Sequence, residues 1–245
     1  MRHVERLWHL AYDYGMGESF MGMWVRNLGI EETAVRLGAD TATGRDCAWA
    51  DLLKGVDVSG GAGVVWIGRL NDEWLQVIHR GADVPDALPQ LSAGRGQALS
   101  LGWSVEGVGD LVYAVDGAYA TFFSVTRPNR RGGSQPDALD AYAEGLLFDV
   151  QDSSWENDPA LPEGWMEYTA WEEARGEGDM SDDDYEDMRP EWWDLQALAI
   201  NGYSPPLATA VTSALTLVGR VTGRELDESW MRGIHTRFLM TSHNG

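Results

Sequence analysis

The 245-residue sequence has one cysteine, Cys47, one lysine, Lys54, and no uninterrupted apolar run of about eighteen residues. A lone cysteine excludes an internal disulfide and leaves no thiolate cluster for zinc. The missing apolar run excludes a helical membrane span. Met1 to His9 lack the basic-then-apolar layout of a signal peptide, so a cytoplasmic protein is expected. Common catalytic motifs are absent too: there is no G-x-S-x-G elbow, no Walker A loop and no H-E-x-x-H. Gly61 to Gly63 and Gly94 to Gly96 lack the third glycine of a dinucleotide fingerprint. His3, His9, His79, His235 and His243 are scattered, with no helical pair at metal spacing. Cys47 becomes a nucleophile only if a histidine base folds beside it; a small buried hydrophobe is the plainer reading. Neither a cofactor nor a metal site is expected.

Positive charge is scarce as well. Eighteen bases stand against 39 acids, a net charge of −21. Such a surface repels phosphate backbones and anionic membranes, and its natural complement is a basic protein. Solubility alone also accounts for high charge, because net charge governs association rather than fold. A chain of this length, 44% apolar, buries a core without metal or disulfide staples.

The patterning is that of an α+β protein. Residues 1–60 read as mostly helical, with Glu31 and Glu32 in a first turn favoured by the helix dipole and Gly38 as a stop. Residues 62–125 read as about five strands in a meander-like antiparallel sheet. Gly63 to Leu70 and Glu73 to His79 flank Asn71-Asp72, Gln97 to Glu106 alternates, and Asp110 to Val115 and Ala118 to Val125 flank Asp116-Gly117. Helices are expected to cover this sheet. Residues 126–134 read as a Gly/Arg loop, followed by a helix over Asp137 to Leu147 behind Pro136. Residues 204–240 read as a helical pair: Leu207, Val211, Leu215 and Val218 mark the first helix, Gly223 the break, and Trp230 and Met231 the second. The expected organisation is a sheet domain over 1–150, an acidic insert over 151–195 and a C-terminal helical hairpin over 196–245 that packs on the same domain.

Three stretches belong together: Val25 to Asp40, with Gly29, Glu31, Glu32, Leu37, Gly38 and Ala39; Val112 to Leu139, with Ala114, Asp116, Gly117, Pro128, Arg130, Arg131, Gly132, Pro136, Asp137, Ala138 and Leu139; and Ala210 to Trp230, with Val221, Thr222, Gly223 and Leu226. In these stretches the sequence resembles a family of uncharacterised, streptomycete-type actinobacterial proteins. The resemblance implies no activity and no catalytic set. It does not extend to the acidic segment.

That segment, residues 152–194, is the most informative. It carries 16 acids, only Arg175 and Arg189 as bases, and five tryptophans: Trp155, Trp165, Trp171, Trp192 and Trp193. A disordered acidic tail rarely holds so many aromatics. Carboxylates speed encounter with a basic partner, while indoles supply anchors that lose their water on binding. The candidate contact residues are these five tryptophans with Asp182, Asp183, Asp184, Glu186 and Asp187. The competing reading is an acidic flap pinned to its own domain by its rings. Ser181 to Met188 fits no EF-hand register, because its glycine is missing, and reads as a solvated acidic helix start. Arg130 and Arg131 are either an anion-gripping loop at a helix start or a turn whose guanidiniums pair with Asp137, Asp140 or the acidic segment. The expectation is a non-enzymatic factor, of inhibitor or immunity type, binding a basic protein. The alternatives are an enzyme or small-ligand sensor with a scattered carboxylate/Arg site and, below it, a DNA mimic.

Overall fold

Strand patterning decides the architecture. The computed structural model describes residues 6–57, 62–81, 87–104, 107–125, 127–146, 163–164, 167–168, 170–171, 174, 188–195 and 207–240. The chain divides into two compact units, Met1–Asp149 with Leu207–Gly245, and Val150–Pro206.

The first unit is α+β, built on one ten-stranded sheet whose described pairings are all antiparallel. Its strands are β1 (Ser19–Arg26), β2 (Ala39–Cys47), β3 (Gly63–Arg69), β4 (Trp74–Arg80), β5 (Gln97–Ser104), β6 (Gly107–Val108), β7 (Asp110–Val115), β8 (Ala118–Ser124), β9 (Arg127–Gly132) and β10 (His235–Met240). The order across the sheet is β2-β10-β3-β4-β1-β5-β7-β8-β9, with β6 paired to β5 off this path. The central strands β3 and β4 are buried on both faces, which is why they read as nearly continuous apolar runs. The helices are α1 (Arg6–Asp13), α2 (Ile30–Arg36), α3 (Leu88–Ser92), α4 (Asp140–Ala143), α5 (Leu207–Thr222) and α6 (Glu228–Met231).

Each face of the sheet has its own core. On one, Trp24, Trp66, Leu99, Trp103 and Phe123 pack with Leu7 and Ala11 of α1, with Val211, Leu215 and Val218 of α5, and with Trp230 and Met231 of α6. On the other, Val65, Ile67, Leu75, Val77 and Phe238 lie with Ala34 of α2 and Leu88 and Leu91 of α3. The Asp116-Gly117 turn forms as expected, with both residues at positive φ (50° and 84°), the geometry of the primed hairpin turns.

Several expectations need correction. The sheet has ten strands rather than about five. Residues 19–26 and 39–47 are strands β1 and β2, not part of a mostly helical segment. Residues 127–132 are an edge strand, not a loop; Pro128 is tolerated there because an edge has one side of unpaired backbone. The helix expected over 137–147 shrinks to four residues. The C-terminal helical pair is one sixteen-residue helix, a single turn at α6 and then a strand, because His235–Met240 alternates and inserts between β2 and β3. The connection at Asn71-Asp72 is longer than two residues. Asn71 Oδ1 accepts from the N–H groups of Glu73 (3.1 Å) and Trp74 (2.9 Å), while Nδ2 donates to the Thr222 carbonyl at 2.8 Å. Among the described residues, no helix is long and apolar enough to cross a membrane.

Candidate functional site

The second unit carries the sequence-predicted contact residues. Pro190 opens a 3-10 turn, Pro190–Trp192, and a further helical turn follows through Leu195. Tyr168, Met188, Trp192 and Leu195 are buried together, with Trp171 packed against them. The rings form a triangle. Trp192 meets Tyr168 edge-on at 6.1 Å and Trp171 at 5.5 Å, and Tyr168 and Trp171 lie 6.2 Å apart. The Arg189 guanidinium sits 4.6 Å over the Trp192 ring and pairs with Glu167 at 2.9 Å. This small core orients one neighbour outward. Trp193 is 46% exposed, between the exposed acids Glu191 and Asp194. Of the other predicted contact residues, Trp155, Trp165, Asp182, Asp183, Asp184, Glu186 and Asp187 lie outside the described residues.

The predicted anion-binding arginines fall on β9. The side chain of Arg130 is outside the described residues. The side chain of Arg131 is only 7% exposed, ion-paired with Asp140 and 4.9 Å over the Phe123 ring. Its charge is therefore engaged by the protein's own carboxylate.

A second group of chemically capable side chains gathers where the sequence offered no local signal. The register of β10 on β2 sets His235 opposite Cys47 and Arg237 opposite Arg45. Cross-strand partners share a face, so all four project to the same side. The His235 ring stacks on Trp230 (4.2 Å, 25°) and meets Trp66 edge-on at 4.5 Å. It fits because position 68 is glycine: a Cβ there would lie 2.3 Å from Nδ1. The His235 Nε2–H donates to the Trp230 carbonyl at 2.9 Å. Burial lowers the imidazole below its ordinary range, against the opposing pull of that hydrogen bond. Burial likewise pushes the Cys47 thiol up, although Arg237 and Arg45 pull it down. No hydrogen bond joins the thiol to the imidazole, and a protonated thiol facing a neutral ring is not an activated nucleophile. The nearby Gln76 is wholly buried, and neither its Oε1 nor its Nε2 has a hydrogen-bond partner. Among the described residues, no group of three or more His, Cys, Asp or Glu side chains is placed to hold a metal ion.

Against known proteins, the chain matches no family model, no curated protein and no solved structure. Its functional residues therefore have to be weighed on their own chemistry. The clamp beside the pair of β10 and α6 is structural on that measure. Arg224 forks onto Asp227 (2.9–3.2 Å) and donates to the Leu70 carbonyl at 2.6 Å. Asp227 also accepts from Ser229 Oγ (2.6 Å) and the Trp230 N–H (2.8 Å), which caps α6. Burial alone would raise the Asp227 carboxyl; the hydrogen bonds from Ser229, Trp230 and Arg224 outweigh it and hold the group below the usual carboxylate range.

Proposed function

We propose that this chain is a non-enzymatic acidic binding factor, of inhibitor or immunity type, that acts in the cytoplasm on a basic protein through the Val150–Pro206 unit. The observation that carries the reading is Trp193, an exposed indole held on a small aromatic core and flanked by Glu191 and Asp194. Residues 150–206 hold 16 acids and two bases, a net −14, so that one unit supplies two thirds of the protein's charge. A field of that sign steers a basic partner, and an indole that loses its water on contact fixes it. Acids around the ring rather than beneath it match the composition of a rim. The proposed kinship with the actinobacterial family concerns the other unit, since its three stretches fall on residues 25–40, 112–139 and 210–230. A DNA mimic would need acids spaced like phosphates, and the acids of 182–187 are outside the described residues.

The test is a pull-down with the intact chain, with Trp193→Ala and with the double variant Glu191→Gln/Asp194→Asn, repeated from about 50 mM to about 500 mM salt, a range over which the screening length shrinks severalfold. One basic protein should be retained in stoichiometric amount at low salt. It should be lost at high salt and weakened by Trp193→Ala. Absence of a stoichiometric partner at low salt, or one held equally by all three proteins, overturns the proposal.

A further inference from the structure

The two most deeply buried guanidiniums among the described residues are treated differently. Arg131 has Asp140. Arg237, only 6% exposed, pairs with no carboxylate among the described residues. Its Nη1 donates to the carbonyls of Leu52 (2.9 Å) and Lys54 (3.2 Å), which fixes the plane of the group against the turn that follows Trp49–Asp51. Its Nε–H is buried and has no partner. Nε is covered by the protein itself, so the donor of Arg237 that is both uncommitted and open to an incoming group is Nη2.

The surroundings add a second charge rather than neutralising the first. Arg45 is the direct cross-strand partner of Arg237, and like charges directly opposite are unfavourable at a Cβ separation of roughly 5 Å. Arg45 is exposed and takes part in no ion pair among the described residues. A guanidinium cannot shed its proton to escape, so the mismatch remains as an unmet need for negative charge. A register irregularity between Arg237 and Leu239 lies at this place on the edge of the sheet, where the ladder bends away from regular pairing.

We propose that Arg45 and Arg237 form a binding site for a small doubly charged oxyanion of the phosphate class. The oxyanion accepts from Nη2 of Arg237, and Arg45 closes over it from the solvent side. Two guanidiniums call for two negative charges, which favours a phosphate dianion over a single carboxylate. The site lies within the sheet unit, and the proposal does not rest on the acidic one.

The experiment titrates the intact chain with inorganic phosphate, and in a parallel arm with glycerol phosphate, at ionic strength held constant with chloride. Thermal unfolding and ³¹P line width are followed. Phosphate should raise the melting temperature saturably and broaden the phosphorus signal. Arg45→Ala changes an exposed residue and keeps the fold; it should weaken apparent affinity about tenfold, the loss expected for one charge-assisted contact. Arg237→Met should abolish binding. If that variant does not fold, Arg45→Ala decides alone. An ester that binds as tightly as free phosphate assigns the site to the phosphate group of a larger molecule, and preference for the free ion assigns it to phosphate itself. A chloride effect equal to that of phosphate, or unchanged affinity in Arg45→Ala, overturns the site.

Discussion

Tryptophan is used differently in the two units. The sheet unit has seven: Trp24, Trp66, Trp74, Trp103 and Trp230 are buried, and Trp8 and Trp49 pack against the same core. Its 188 residues carry a net charge of only −7. The Val150–Pro206 unit has five tryptophans among 57 residues at −14, and it leaves Trp193 on the surface after burying Trp192. An indole can close a core or meet a partner, and its neighbours decide which. In the sheet unit, indole N–H groups are absorbed internally: Trp66 donates to Cys47, Trp103 to Met16 and Trp230 to Arg69, all by way of carbonyl oxygens.

The comparison can be broken or sharpened by experiment. Truncation after Gly233 removes β10, the only partner of β2 among the described strands, and should abolish cooperative unfolding of the sheet unit by circular dichroism. Trp24→Ala should cost about 3–5 kcal/mol in denaturant titrations, the usual loss for a buried large aromatic. Gln76→Leu should go the other way and stabilise by about 1 kcal/mol, because it deletes a buried amide that satisfies no hydrogen bond. Acid should weaken the fold in two windows. His235 is held neutral, so its contribution is complete above the unfolded imidazole value of about 6.5 and is lost as pH falls through and below that value. Asp227, whose carboxyl is depressed, contributes above about 3.9 and loses that contribution as pH falls through its folded value. His235→Phe should erase the upper window in a series of melts at different pH. Trp193→Ala should change stability by less than about 0.5 kcal/mol. A large loss there would place the ring in a core and remove the contrast between the units.

Local chemistry explains which parts of the fold were legible. The Asp116-Gly117 hairpin, the apolar runs of β3 and β4, and the stripe through Val211, Leu215 and Val218 announce themselves because turn geometry and burial act on neighbouring residues. β2 did not. Its sequence, ADTATGRDC, lies on an edge where both faces are largely wet, so no alternation survives. β9 was hidden by Pro128 and by Gly132 and Gly133 at its end, which read as loop until an edge position is known. β10 alternates in HTRFLM, but it follows a long helix, and nothing local says that it returns to the sheet between strands that end 188 and 166 residues before it starts. The Arg45–Arg237 and Cys47–His235 pairs depend wholly on that return, so no motif could have shown them. Within the acidic segment, composition pointed to the indoles but not to which of them faces water. That depends on the packing of Tyr168, Met188 and Leu195.

The position of β10 bears on assembly in time. As the chain emerges from the ribosome, β2 and β3 are made early, yet a vacant lane must be kept between them until more than 160 further residues have been added. A strand that arrives last and is hydrogen-bonded on both sides can also be delivered from outside. A synthetic peptide spanning His235–Met240 should slot into a chain that lacks it, making the sheet a ready scaffold for split-protein complementation.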